Sequence, residues 1–140
     1  MNPRRDLRIE LDLPPGPLRR SEGAIVTVRV TNIDSRPVLV NRRMSPGYRD
    51  SISREIFFDI DTAYGRRKYD RDLPGPADYG LLEAGETISA AIDVLAWYRN
   101  IEPGTYRLTC HYQADEPATH PPKTIVDGVV SSGPAEVTVE

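Results

Sequence analysis

The 140-residue chain lacks the features that mark several large classes of protein. It has one cysteine, Cys110, which excludes a disulfide-stapled scaffold and a metal site built from several cysteines. Its longest uninterrupted apolar run, residues 94–98, is far shorter than the roughly 20 residues of a membrane-spanning helix. Residues 1–17 include six charged side chains and therefore lack the apolar centre of a signal peptide. We therefore expect a soluble, cytoplasmic protein without a membrane partner.

An excess of positive charge is also missing. The 18 Lys and Arg residues are outnumbered by 21 Asp and Glu residues, which gives a net charge of −3. The densest basic cluster lies in residues 42–72, but its eight basic side chains are nearly balanced by six acidic ones. Such a balance is typical of a solvated surface with ion pairs, and not of a phosphate-binding track. We therefore expect no nucleic-acid partner.

Residues with catalytic or metal-binding chemistry are few and scattered. His111 and His120 have no third ligand at a suitable spacing, so no metal site is expected. Cys110 shares the apolar side of a predicted strand with Leu108, and a thiol buried in this way is a poor nucleophile. The chain also lacks a Gly-x-Ser-x-Gly elbow and a glycine-rich phosphate loop. We therefore expect no catalytic residue, no cofactor and no enzymatic activity. The acidic motif at residues 59–61 does not continue as an EF-hand loop, and a calcium site built by several loops stays open as an alternative.

The chain does have a regular alternation of apolar and polar residues. This period of two is typical of β-strands with one buried side. Thirteen prolines and ten glycines divide the chain into short pieces, and only residues 94–100 are suited to a helical turn. The clearest alternating segments are residues 7–13, 26–31, 55–61, 87–93, 104–112 and 137–139.

This pattern predicts an all-β fold, namely an immunoglobulin-like antiparallel β-sandwich of seven to nine strands. We expect residues 1–6 to be a flexible N-terminus and residues 7–140 to form a single sandwich domain. The Cys…Trp…Cys spacing of antibody domains is absent.

Residues 78–86, with the sequence DYGLLEAGE, are followed by Trp97-Tyr98 and by Pro103-Gly104-Thr105-Tyr106. This succession resembles the non-catalytic β-sandwich that precedes the zinc domain in some deuterolysin-like and peptidyl-Lys metallopeptidases. It also resembles bacterial intracellular proteinase-inhibitor-like domains. The resemblance implies a sandwich fold, but no peptidase activity, because the chain lacks a His-Glu-x-x-His zinc motif.

Two functions follow as hypotheses. The first is a non-enzymatic interaction module that binds a protein partner, or a second copy of itself, through loops and through edge strands at residues 7–13 or 135–139. Arg43, Tyr48 and Arg49 are the candidate partner contacts, because their residue types are enriched at interface hot spots. The alternative is a protease inhibitor, or a propeptide-like domain, that occludes a peptidase with residues 41–54 or 113–123.

Overall fold

The computed structural model describes residues 2–3, 6–46, 55–60, 78–96, 98, 101–113 and 128–140. Within these ranges the backbone forms short strands and a single 3-10 turn, so the predicted all-β class is confirmed. None of the described residues forms a helix long and apolar enough to cross a membrane. In chain order the strands are β1 (Asn2–Pro3), β2 (Leu7–Asp12), β3 (Ile25–Asn32), β4 (Val38–Asn41), β5 (Ile56–Ile60), β6 (Tyr79–Leu82), β7 (Thr87–Asp93), β8 (Gly104–Gln113), β9 (Gly128–Ser131) and β10 (Ala135–Val139), with the 3-10 turn at Val94–Ala96.

The strands are arranged in three sheets among the described residues. In the largest sheet, β8 pairs with β5 on one side and with β9 and β10 on the other, all antiparallel. The short strand β1 runs parallel to β9, although it lies within the residues expected to form a flexible N-terminus. In the second sheet, β3 lies between β2 and β7, and both pairings are antiparallel. The third sheet is the antiparallel pair of β4 and β6.

The alternation in the sequence separates the buried from the exposed side of each sheet. On β3, the side chains of Val26, Val28 and Val30 are completely buried, whereas the residues between them are only partly covered. Leu108 on β8 and Val40 on β4 belong to the same apolar cluster. Residues of all three sheets therefore contribute to one hydrophobic core.

β9 and β10 both pair with β8, but the ladder is interrupted between them. His111 pairs with Ser131, whereas Leu108 pairs with Ala135, so the β9–β10 segment carries one residue more than β8 over the same distance. This is the geometry of a bulge. Pro134 lies in the interruption and has no amide hydrogen to contribute to the ladder. The structure describes ten strands, against the seven to nine expected, because the interruption separates β9 from β10 and because the two-residue β1 counts as a strand.

Two leucines test the position of the core. Leu108→Ala removes a completely buried side chain and is expected to lower the free energy of unfolding by about 2–5 kcal/mol. Leu81→Ala is the matched control, because the Leu81 side chain is 56% exposed, and its effect is expected to stay within about 0.5 kcal/mol. Denaturant unfolding of both variants measures the difference. Equal effects would contradict the core described above.

Candidate interaction edges

The hydrogen bonds at the two ends of the β3–β7 ladder show which residues of β7 bond to the backbone of β3. At one end the amide of Val94 donates to the carbonyl of Ala24 at 2.9 Å, and at the other the amide of Asn32 donates to the carbonyl of Glu86 at 3.0 Å. Bonded pairs recur at every second residue of an antiparallel ladder. The β7 residues that bond to β3 between these two ends are therefore Ile88, Ala90 and Ile92.

The other residues of β7 direct their backbone groups to the outer edge of the sheet. No described residue forms a hydrogen bond with the backbone N–H or C=O groups of Thr87, Ser89 or Ala91. The side chains of these three residues are exposed, small and uncharged. An unpaired, regular edge without charged side chains is a template for pairing with another strand.

The edge strand predicted at residues 7–13 is present as β2, and among the described strands β3 is its one pairing partner. Ion pairs line its exposed side, however. Arg29 contacts Asp12 at 3.1 Å, and Arg8 contacts Glu10 at 3.2 Å. Because charged side chains at an edge oppose the addition of a further strand, β2 is a poorer docking edge than β7.

The edge predicted at residues 135–139 is present as β10, but one end of it is covered. The amide of Leu18 donates to the carbonyl of Thr138, and the amide of Glu140 donates to the carbonyl of Leu18, both at 2.8 Å. Beside the uncovered part lies a cleft of about 400 Å³, lined by residues 13, 14, 16–18 and 136–138. Within the ladder, Glu136 and Thr138 direct their N–H groups to this side of β10, because the residues next to them bond to β8.

Of the three predicted contact residues, Arg43 lies in the described part of the chain, and Tyr48 and Arg49 lie outside it. The guanidinium of Arg43 contacts the carboxylate of Glu55 through two hydrogen bonds, Nε to Oε1 at 3.0 Å and Nη2 to Oε2 at 2.7 Å. The Arg43 side chain is 11% exposed and that of Glu55 is completely buried. The partner-contact role of these three residues stays a prediction, and the structure adds an internal role for Arg43.

The Arg43–Glu55 pair closes the two ends of the segment between β4 and β5. Oε1 of Glu55 also accepts from the amide of Ser45 at 3.0 Å. The carbonyl of Ser45 in turn accepts from the amides of Glu55 and Ile56 at 2.9 and 3.0 Å. The bonds from Arg43 and from the amide of Ser45 satisfy the carboxylate of Glu55, because a charge buried away from water needs hydrogen-bond partners. The sequence held no clear signal for Glu55 beyond its position directly before an apolar strand.

The remaining predicted residues of chemical interest lie on β8 or outside the described ranges. Cys110 is completely buried, and burial raises the pKa of its thiol, so the thiol stays protonated and unreactive. His111 faces the opposite side of the sheet, where it contacts Asp59 and Ser131. His120 lies outside the described residues. Within the described ranges, no three His, Cys, Asp or Glu side chains are placed to hold a metal ion.

No known protein family matches the chain, and a comparison with curated proteins found no significant similarity. The resemblance to the sandwich of deuterolysin-like peptidases therefore stays a prediction from the residues quoted above.

The buried ion pair generates a stability prediction. Arg43→Ala leaves the carboxylate of Glu55 buried without its partner and is expected to lower the free energy of unfolding by about 3–5 kcal/mol. Arg42→Ala is the matched control. Arg42 also donates to a carboxylate, that of Glu86 at 2.9 Å, but both side chains are about one-third exposed, so little change is expected.

Denaturant unfolding at neutral pH compares the two variants. The double variant Arg43→Met/Glu55→Leu removes both charges and is expected to recover most of the stability lost in Arg43→Ala. Equal stability of Arg43→Ala and Arg42→Ala would show that the Arg43–Glu55 pair does not hold this segment.

Proposed function

We propose that the protein is an interaction module that binds a second copy of itself along β7. The observation that supports this proposal is the outer edge of β7 at Thr87, Ser89 and Ala91, which no described residue covers and where the side chains are uncharged. Antiparallel pairing of two β7 strands joins the three-stranded sheets of the two copies into one continuous sheet. The backbone groups of Thr87, Ser89 and Ala91, which bond to no described residue of their own copy, then gain partners.

The sequence of β7 suits self-pairing about a two-fold axis, in which each copy presents the same edge. In the register that is centred on Ser89, this residue lies opposite itself and Thr87 lies opposite Ala91. The acidic Asp93 then lies opposite Gly85, so no like charges face each other across the new pair. Because small side chains flank the strand, two copies can approach closely. The buried area of such a pair is small, so the association is weak and depends on concentration.

A proline on the outward-facing side of β7 tests this proposal. Ala91→Pro removes an N–H group that bonds to no described residue of the same copy, and the Ala91 side chain is exposed, so the variant is expected to fold. The same change removes one hydrogen bond of the proposed pair and places a ring at the contact. Sedimentation velocity over a range of concentrations is expected to show weak association of the wild type and its loss in Ala91→Pro.

Two proline variants serve as controls. Ala90→Pro moves the substitution by one residue, to an N–H group that bonds to β3, and is expected to destabilise the fold. Glu136→Pro blocks the uncovered part of β10 in the same way and is expected to leave association unchanged. Two outcomes contradict the proposal: a wild type that stays monomeric at every accessible concentration, or association that Glu136→Pro abolishes and Ala91→Pro does not.

A further inference from the structure

Three polar side chains form a hydrogen-bonded chain across neighbouring strands of the largest sheet. Nδ1 of His111 on β8 lies 2.6 Å from Oγ of Ser131 on β9. Nε2 of the same ring lies 2.8 Å from Oδ2 of Asp59 on β5. His111 pairs directly with Ser131 in the ladder, whereas Asp59 is its diagonal neighbour. All three side chains lie on the side of the sheet away from the buried Cys110.

The surroundings of His111 fix the ring in place. Its side chain is only 13% exposed, and the ring stacks on Phe57 with the ring centres 4.8 Å apart and the planes 21° from parallel. A carboxylate accepts hydrogen bonds and cannot donate them, so Asp59 holds the proton of the neutral ring on Nε2. In this tautomer Nδ1 is an acceptor, so we infer that the hydroxyl of Ser131 is the donor of the 2.6 Å bond between them.

We propose that Ser131 is a nucleophile that takes up the acyl group of small activated carboxylic esters, with His111 as general base and Asp59 as a positioning residue. A serine hydroxyl within hydrogen-bond distance of a base, which a third group orients, is the arrangement that activates serine in acyl transfer. Unlike the binding of a second copy to β7, this reactivity needs only one copy of the chain.

The reaction balances with water as the only co-reactant. Oγ of Ser131 attacks the ester carbonyl, a new C–O bond forms, and the hydroxyl proton moves to Nδ1 of His111. The bond to the leaving group then breaks, and the leaving oxygen takes that proton. In the second half, water attacks the acyl-serine through the same base, which releases the carboxylic acid and restores Ser131.

The backbone of Ser131 provides a donor for the negative charge that develops on the carbonyl oxygen. The amide of Ser132 donates to the carbonyl of Cys110 at 2.9 Å, so the bonded pairs of the β8–β9 ladder are those of the residues next to Ser131. The amide of Ser131 therefore points away from β8, and no described residue accepts from it. The amide of the nucleophile itself is an established oxyanion donor in serine hydrolases.

The sequence does not reveal this arrangement: it offers His111 and Asp59 only as possible metal ligands, and it gives no signal for Ser131. Ser131 and His111 are separated by 20 positions, and His111 and Asp59 by 52. The serine also stands on a strand and not in a Gly-x-Ser-x-Gly elbow. Only the order of the strands brings the three side chains together. Ser131 itself is exposed, so a small ester can reach its hydroxyl.

The test is covalent labelling of the full chain with a biotinylated fluorophosphonate, followed by intact mass and peptide mapping. This probe forms an Oγ–P bond and releases fluoride, so it reports on the nucleophile without a need for turnover. The folded wild type is expected to gain one adduct, on Ser131, and Ser131→Ala is expected to gain none. Release of 4-nitrophenol from 4-nitrophenyl acetate tests the acyl reaction itself and is expected to be lost in the same variant.

Variants of His111 and Asp59 distinguish a role in activating Ser131 from a purely structural role. His111→Gln lacks the base and is expected to label about 100-fold more slowly while its circular dichroism stays unchanged. Asp59→Asn can donate to Nε2 and so favours the wrong tautomer, whereas Asp59→Glu keeps the carboxylate and is expected to recover labelling. Ser21→Ala removes an exposed serine that makes no described hydrogen bond with a histidine and is the control that should change nothing. An unlabelled wild type, an adduct on another residue, or equal rates in wild type and His111→Gln would overturn the proposal.

Discussion

In the sheet of β2, β3 and β7, the apolar-polar alternation of the sequence determines two things at once: which side chains are buried, and which backbone groups bond to the neighbouring strand. On β7 the residues that bury their side chains are also the ones that bond to β3, as Ile88 and Ile92 show. The exposed residues Thr87, Ser89 and Ala91 therefore hold the backbone groups that no described residue pairs with. On β2 the relation is reversed, because the exposed Arg8 and Glu10 bond to β3, and the buried Ile9 directs its backbone outward. An added strand thus meets small exposed side chains on β7, but a row of charged ones on β2.

A buried ion pair holds together a second part of the structure, the segment between β4 and β5. A completely buried carboxylate is costly unless a charged partner and further donors satisfy it. Arg43 and the amide of Ser45 fill this role for Glu55. The same carboxylate stands one residue before β5, so the pair positions the start of a strand that pairs with β8. Removing one charge is therefore expected to disturb more of the sheet than the loop alone.

Much of the strand pattern was predictable from the sequence, because a period of two directly reflects a sheet with one buried side. The strands at residues 87–93 and 104–113 match their predicted positions closely. Tyr79–Leu82 escaped prediction because its four residues do not alternate. The interaction edges were harder to predict, since alternation shows which side of a strand is buried but not which strand lies beside it. For the same reason, Arg43 was predicted from its residue type alone, without its partner Glu55.

The state of the β7 edge can be measured directly by amide hydrogen exchange in a dilute sample, with NMR detection of individual residues. An open edge predicts alternating protection along β7. The amides of Ala90 and Ile92, which bond to β3, should exchange slowly, and those of Ser89 and Ala91 should exchange orders of magnitude faster. At higher concentration the fast amides should become protected as copies pair. Slow exchange of all four amides in the dilute sample would contradict an open edge.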